Sequence, residues 1–316
     1  MKGVIVSAVA ILATIQLVFR FSTWVNGDLN EKNNVEYLDD IAAISLEMLF
    51  LAMFQLFTSS SCLDHYRLPL IMVILWTPFP CYAYKNIFLL AGQSNMSGRG
   101  GVINGNWTGY IPPECRSQPS ILRLSAGLTW EEACEPLHRD IDNKTCGVGP
   151  GMSFANYVLE KDSNIGVIGL VPCAVGGTYI SEWSRGSGLY DKLLKRSKAA
   201  LEDGGEIRAL LWYQGESDTK KEEDAELYKK RIEEFFVAVR TDLSLPNLPI
   251  IQVALASRTG TYFDIVRNAQ LAIKLPNVTT VDAKGLQLLN DDPIHLSTPG
   301  QVSLGKMMGD AFLHFD

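Results

Sequence analysis

The sequence lacks several features that mark common classes of protein. No stretch rich in Lys and Arg stands out and the formal net charge is −7, so nothing would neutralise a phosphate backbone and we expect no nucleic-acid partner. No two cysteines form a Cys-x-x-Cys pair, which argues against a zinc site, and we expect neither a metal nor a cofactor. No internal repeat or low-complexity tract occurs, which excludes repeat architectures.

Apolar residues are concentrated in three stretches of the first 84 residues, at 3–19, 41–57 and 69–83. The first resembles a signal peptide or a short membrane anchor, and Glu47 makes the second a doubtful membrane span. The third is broken by prolines and ends in a pattern typical of a cleavage site. We therefore predict a hydrophobic leader at 1–84 and a secreted or endomembrane protein, or alternatively one anchored to a membrane by the leader alone.

The three stretches leave a second interpretation open, in which translation starts later, at Met48 or Met72. Glycosylation sequons at Asn106, Asn143 and Asn277 favour a secreted glycoprotein, whereas the match at Asn95 falls inside the candidate active site and is discounted. Four cysteines follow the leader, namely Cys115, Cys134, Cys146 and Cys173. In a secreted domain Cys115 could pair with Cys146 or with Cys134, and Cys173 ends an apolar run and is expected to be buried.

From residue 85 to residue 316 the pattern predicts one α/β domain with a five-stranded parallel sheet, because short apolar runs alternate with amphipathic segments. The predicted strands are 86–91, 165–174, 207–214, 249–256 and 278–283. The predicted helices are 152–161, 189–202, 222–242, 263–275 and 299–313. Residues 102–150 lack strong periodicity and are predicted to form a long ordered insertion on the ligand side.

Polar motifs follow the predicted strands, where ligands of open parallel sheets bind. GQSNM follows the first strand, and it places Ser94 on a tight turn. A serine needs a base within hydrogen-bond reach and a carboxylate to orient that base. Of the four histidines only His295 combines a loop after a strand with an aspartate three residues earlier, Asp292; Asp291 remains an alternative carboxylate. The other three lie in the leader, the insertion and the chain end: His65, His138 and His314.

Ester hydrolysis also requires donors for the oxyanion of the tetrahedral intermediate. The candidates are the Ser94 N–H, an N–H from Gly176 or Gly177 in the VGGT segment, and the side-chain amide of Gln214 in the QGESD segment. A simpler interpretation of the glycine pair is a turn that needs positive φ. For Gln214 the alternative is a loop of solvated polar groups.

Together, GQSNM, VGGT, WYQGESD and DPIH resemble the blocks of the SGNH hydrolase superfamily, and more closely carbohydrate esterase family 6 and sialate O-acetylesterase-like proteins of plants. The resemblance implies a three-layer α/β/α, flavodoxin-like fold. It implies that Ser94 attacks an acetyl ester, that His295 acts as base and then as acid, and that Asp292 supports it. It also implies an oxyanion hole of Ser94, Gly176 and Gln214, which Gly177 and Glu216 support.

The resulting hypothesis is a serine esterase that removes O-acetyl groups from a carbohydrate through an acetyl-serine intermediate. One alternative is a catalytically silent glycan-binding protein on the same fold, and another is an esterase for short-chain or lipid esters. Trp107, Trp130 and Trp183 could stack on sugars or belong to the core. The sequence does not indicate an oligomeric state.

Overall fold

The structure is a computed structural model that describes residues 84–256 and 260–315. The predicted leader therefore lies outside the described residues, apart from Tyr84. No helix among the described residues is both long and apolar enough to cross a membrane. All three sequon asparagines are exposed.

A mostly parallel sheet forms the centre of the described chain. Its strands are β1 (Lys85–Gly92), β4 (Ile121–Leu124), β5 (Trp130–Glu132), β6 (Val167–Pro172), β7 (Glu206–Tyr213), β8 (Ile250–Ala254) and β9 (Val278–Asp282). Two small antiparallel pairs lie apart from it, formed by β2 (Val102–Ile103) with β3 (Asn106–Trp107) and by β10 (Leu288–Leu289) with β11 (Asp292–Leu296). The helices are α1 (Ser94–Ser97), α2 (Pro150–Lys161), α3 (Gly188–Leu201), α4 (Glu222–Asp242), α5 (Phe263–Leu271) and α6 (Thr298–Leu313).

The sheet order is β5-β4-β6-β1-β7-β8-β9, with all neighbours parallel except β4 and β5. The five predicted strands form its contiguous part from β6 to β9, in the second-first-third-fourth-fifth order of flavodoxin-like folds. The predicted strand count was wrong by two, because the insertion supplies β4 and β5 to one edge. β4 is four residues long and carries the buried Arg123 in its middle, so its apolar pattern is too short to indicate a strand.

Helices cover both faces of the sheet. Phe88 of β1 packs edge to face on Phe154 of α2 and Phe312 of α6. Trp212 of β7 pairs in register with Ala91, three residues after Phe88, and therefore points to the opposite face. There it packs on Phe235 of α4. The three-layer α/β/α arrangement is thus confirmed.

The helix predictions agree with the structure to within a few residues, with the largest difference at the end of α5. This helix ends at Leu271, whereas the pattern predicts an end at residue 275. Leu275 precedes Pro276, and a residue before proline is disfavoured in helical geometry, which favours an earlier end.

The four cysteines of the domain are all free, so neither alternative disulfide forms. Cys115 lies in the short 3-10 helix Pro113–Cys115, whereas the Cys146 thiol donates to the carbonyl of His138. Burial raises the pKa of the Cys146 and Cys173 thiols to about 11, which keeps both protonated. Cys173 is buried, as its apolar run predicts.

Candidate active site

A tight turn at the end of β1 places Ser94 at the carboxyl edge of the sheet. Gly92 has a φ of +127°, and a Cβ at this position would lie 2.1 Å from the carbonyl oxygen of Tyr213 on the neighbouring strand. Only glycine fits so close an approach. The Gln93 N–H then donates to the same carbonyl at 2.8 Å, and α1 begins at Ser94.

His295 reaches this turn from β11. Its Nε2 lies 2.9 Å from Ser94 Oγ, and its Nδ1 lies 2.5 Å from Asp292 Oδ2. The other carboxylate oxygen of Asp292 accepts the Ile294 N–H at 2.9 Å, which fixes the carboxylate in its turn. The structure therefore brings together the three residues of the predicted triad, and the carboxylate beside the imidazole is that of Asp292 and not Asp291.

The charge states suit a base oriented by a carboxylate. Burial lowers the pKa of His295 below its ordinary value, and the cations Arg99 and Lys144 act in the same direction, although Asp292 opposes them. Burial acts to raise the pKa of Asp292, but the hydrogen bonds from His295 and the Ile294 N–H outweigh it, so this pKa lies below its ordinary value. A neutral imidazole beside an ionised carboxylate can accept the proton of the Ser94 hydroxyl.

Asn95 joins the serine turn to the strand of the histidine, a role that the sequence did not reveal. Its Oδ1 accepts the Leu296 N–H at 2.9 Å, and its Nδ2 donates to the Ile294 carbonyl at 3.1 Å. These two bonds bracket His295 on β11. The same Nδ2 donates to Glu216 Oε1 at 2.6 Å, which ties in the loop after β7. The only sequence signal for this role was a polar residue directly after the nucleophile. The hydrogen-bond partners of Asn95 could not be predicted, because they lie about 120 and 200 residues away along the chain.

Two buried carboxylates lie in the loop after β7. Burial raises the pKa of Glu216 to about 7, with Asp218 adding to the effect and the Asn95 hydrogen bond opposing it. Burial likewise raises the pKa of Asp218 to about 7. Asp218 accepts the Ile180 N–H and so fastens the loop to the short 3-10 helix Ile180–Trp183. The positioning role of Glu216 stays a prediction, and its bond to Asn95 shows what it would position, the serine turn. Asp218 was not anticipated.

Asp142 of the insertion organises the glycine segment that follows β6. Its Oδ2 accepts the Gly176 N–H at 3.0 Å, the Ser97 hydroxyl at 2.9 Å and an Arg99 N–H at 2.6 Å. Gly177, with a φ of +82°, makes no N–H hydrogen bond within the described residues. Of the two glycines named as alternative oxyanion donors, Gly176 already donates its N–H to the Asp142 carboxylate. Gly177 has no such acceptor for its N–H among the described residues.

Gln214 is fully buried at the end of β7. Its Nε2 donates to the Thr178 carbonyl at 2.9 Å and to Asp218 Oδ2 at 2.6 Å. It also lies 3.3 Å from Oε1 of Gln93. The predicted donor of the oxyanion hole therefore has protein acceptors for both of its amide protons in this structure.

A cavity of about 180 Å³ opens at Ser94 and His295. Three cationic side chains line it, those of Arg99, Lys144 and Lys220. Among the described residues on its wall, Ile294 alone carries an aliphatic side chain. The remaining lining residues are Gln93, Gly177, Glu216 and Ser217. This wall suits a small acyl group on a polar substrate better than a long hydrocarbon chain.

Several residues considered from the sequence lie away from this cavity. His138 is buried and His314 caps the end of α6, while His65 is outside the described residues. Trp183 is a core residue in contact with Trp212. Within 84–256 and 260–315, no group of three His, Cys, Asp or Glu side chains is arranged to hold a metal ion.

The chain resembles known proteins over this same region. A family model for carbohydrate esterases, described as sialic acid-specific acetylesterases, matches residues 84–314. The Arabidopsis thaliana protein named "Probable carbohydrate esterase" is 56% identical over 239 residues, which cover 72% of this chain and 90% of that protein. An X-ray structure of an Arabidopsis thaliana protein superposes with a TM-score of 0.71 at 55% identity, covering 73% of this chain and 99% of the other.

The crystal structure of NanS shares the fold, with a TM-score of 0.59 at 18% identity, covering 73% of this chain and 97% of that one. The family match spans most of the chain and the plant relative exceeds half identity over nearly its whole length. The chain therefore belongs to the carbohydrate esterase, sialic acid-specific acetylesterase family, and it is a hydrolase that acts on ester bonds.

Proposed function

We propose that this protein removes O-acetyl groups from a carbohydrate by nucleophilic catalysis at Ser94. The observation that carries the proposal is the continuous chain of contacts from Ser94 Oγ to His295 Nε2 and from His295 Nδ1 to Asp292. Such an arrangement activates a hydroxyl that is otherwise a weak nucleophile near neutral pH.

The reaction proceeds in two halves. Ser94 Oγ attacks the acetyl carbonyl carbon while its proton passes to His295 Nε2, and the carbonyl oxygen becomes an oxyanion. The tetrahedral intermediate collapses, the sugar oxygen leaves with the proton from His295, and acetyl-Ser94 remains. Water then attacks the acetyl group, gives a proton to His295 and releases acetate, and Ser94 recovers its proton.

The substrate class follows from the family and from the wall of the cavity. The matching family is described as one of carbohydrate esterases, and the lining offers hydrogen-bonding and charged groups that can bind a sugar, from Glu216, Ser217 and Lys220. Among the described residues that line the cavity Ile294 alone is aliphatic, so we expect acetyl to be favoured over longer acyl groups.

The test is acetate release by the full-length protein from acetylated xylan, acetylated pectin and O-acetylated sialic acid, with 4-nitrophenyl acetate as a general substrate. We expect Ser94→Ala to lose at least about 10³-fold in kcat/KM, because the nucleophile is absent. Ser303→Ala is the matched control, since Ser303 is an exposed serine on α6. Retention of wild-type activity by Ser94→Ala would refute the mechanism.

The competing functions give different results in the same assay. A glycan-binding protein without catalysis would bind the acetylated polymers and release no acetate from any of them. An esterase for longer acyl chains would hydrolyse 4-nitrophenyl butyrate or octanoate with a higher kcat/KM than the acetate. We expect kcat/KM to fall with each of these longer chains.

A further inference from the structure

The carboxylate of Asp142 is a buried charge that joins three segments of the chain. Its side chain is fully buried. Oδ2 accepts the Ser97 hydroxyl from α1 at 2.9 Å, the Gly176 N–H from the segment after β6 at 3.0 Å, and an Arg99 N–H at 2.6 Å. Oδ1 accepts the Lys144 N–H at 3.2 Å, which fixes the carboxylate within the insertion. One oxygen atom is therefore the common acceptor of three donors.

Asp142 is ionised in spite of its burial. Burial acts to raise its pKa, but the hydrogen bond and the charge of Arg99, with the hydrogen bond from Ser97, outweigh this effect, so the pKa lies below its ordinary value. A carboxylate loses its hydration when it is buried, which is costly unless donors and an opposite charge replace the water. Each of these replacements comes from the serine turn and from the residues directly after it.

The segments that Asp142 joins form two walls of the cavity. α1 begins at Ser94, and Gly177, directly after Gly176, lines the cavity together with Ser94. The packing between these segments is tight, because a Cβ on Gly176 would lie 2.5 Å from Arg99 Nη2 and 3.0 Å from Asp142 Oδ2. A shift of the carboxylate therefore displaces the backbone of both glycines relative to Ser94, and a misplacement of about 1 Å can cost about 10²-fold in rate.

Asp142 also offsets a cation that acts on the proposed base. The pKa of His295 is lowered first by burial and then by the charges of Arg99 and Lys144, and Asp292 opposes them. The Asp142 carboxylate lies 2.6 Å from the Arg99 guanidinium, so it weakens the effect of that cation on His295. The described wall of the cavity carries two further charged side chains, Glu216 and Lys220. Neutralising Asp142 alone would leave Arg99 uncompensated at the cavity, which disfavours imidazolium.

We propose that Asp142 is a positioning residue for catalysis, through which the insertion holds the glycine segment after β6 against α1 and offsets the charge of Arg99. The insertion then takes part in the reaction without contacting the reacting atoms. The inference rests on the proposed function, because it presumes attack by Ser94 on an acyl carbonyl.

Two substitutions in the full-length protein separate the geometric effect from the electrostatic one. Asp142→Ala leaves the three donors without their acceptor. We expect kcat for 4-nitrophenyl acetate to fall about 10²-fold, with KM changed less than about threefold, because Ser94 and the glycine segment are displaced from each other. Asp142→Asn keeps an oxygen for the donors but removes the charge. We expect kcat to fall about 10-fold, since a neutral oxygen accepts weaker hydrogen bonds, and the acid midpoint of kcat/KM to move to lower pH.

The double variant Arg99→Met/Asp142→Asn tests the charge balance. It removes both charges of the pair, so the acid midpoint should move back from the value of Asp142→Asn toward that of the wild type.

Asp140→Asn is the matched control. Asp140 lies in the same insertion and likewise accepts an arginine N–H, from Arg123 at 2.6 Å, and a backbone N–H, from Ala126 at 2.8 Å. It is not among the described residues that line the cavity. We therefore expect Asp140→Asn to lower the thermal unfolding temperature but to leave kcat and the acid midpoint unchanged.

Thermal unfolding shows whether each variant is folded, and the nearly isosteric Asp142→Asn carries the test where Asp142→Ala does not fold. A folded Asp142→Asn variant with kcat within twofold of the wild type and an acid midpoint that stays in place or moves to higher pH would overturn the inference. Equal losses of kcat in Asp142→Asn and Asp140→Asn, or a failure of both Asp142 variants to fold, would reduce Asp142 to a structural residue and overturn it as well. Failure of the proposed function itself is recognised separately, by activity that survives Ser94→Ala.

Discussion

His295 lies in surroundings that set the pH range of catalysis. Its pKa is lowered first by burial and then by the cations Arg99 and Lys144, and Asp292 opposes both. The base works in its neutral form, which exists above its pKa, so a lowered pKa moves the acid limb to lower pH. We expect kcat/KM to fall on acidification with a midpoint below the ordinary histidine value of about 6.5.

The variant Lys144→Met checks the cause of this displacement. Removing a cation that disfavours imidazolium raises the pKa of His295, so the midpoint should move to higher pH. Lys161→Met, at an exposed lysine at the end of α2, should leave it unchanged. A pH profile that Lys144→Met does not move, or moves to lower pH, would contradict this electrostatic account.

At the residue scale, the sequence was informative where a residue type is rare or where its partner lies close by along the chain. With four histidines in the chain, one of them three residues after an aspartate, the proposed base could be named in advance. Asn95, Asp142 and Asp218 could not, because their roles arise from partners distant in sequence. The acceptors that occupy both amide protons of Gln214 likewise depend on neighbours in space and have no sequence pattern.

At the scale of elements, the close approach of Gly92, at the end of β1, to the Tyr213 carbonyl of β7 leaves no room for a side chain. Gly92→Ala combines a positive φ with a clash of its Cβ against the Tyr213 carbonyl. We expect a loss of about 3 kcal/mol or more in the free energy of unfolding, since backbone must move on both strands. Chemical denaturation of the full-length protein measures it.

Gly186→Ala provides the comparison, because Gly186 also has a positive φ, +81°, but a Cβ there meets nothing within 4 Å. It carries only the conformational penalty, about 1 kcal/mol. Equal losses for the two variants would show that the close approach of β1 to β7 is unimportant.

The elements themselves were predicted best where burial is continuous. β1, β6, β7 and β8 are long apolar runs covered on both faces, so their existence and order along the chain could be inferred. β4 was missed because the guanidinium of Arg123 is buried by pairing with Asp140 and the Leu137 carbonyl. These partners come from the insertion, and a buried arginine looks like a surface residue in sequence.

At the scale of the whole molecule, the cavity at Ser94 is lined by positive side chains although the chain as a whole is negatively charged. The chain has a formal net charge of −7, yet Arg99, Lys144 and Lys220 line the cavity at Ser94. Lys144 and Lys220 form no ion pair within the described residues. Net charge alone could not predict this local group of cations. On the proposed function, we expect it to favour a carboxylate-bearing sugar over a neutral one.

Initial rates at 50 and 500 mM NaCl test this preference. We expect kcat/KM for an acetylated polygalacturonate to fall several-fold at the higher salt, because screening weakens the attraction, while the value for 4-nitrophenyl acetate changes less than twofold. Lys220→Met should reduce the salt dependence. Equal salt responses of the two substrates would show that the cations do not select charge.

The separation of Ser94 and His295 along the chain has a consequence for biosynthesis. The two residues are 201 positions apart, and β11 lies outside the main sheet, attached to the serine turn through Asn95. A ribosome makes the nucleophile long before its base, so on the proposed mechanism the growing polypeptide holds an unactivated hydroxyl. On that mechanism, esterase activity begins only once Asn95 holds β11 against the serine turn, so the onset of catalysis would report that these distant segments have folded together.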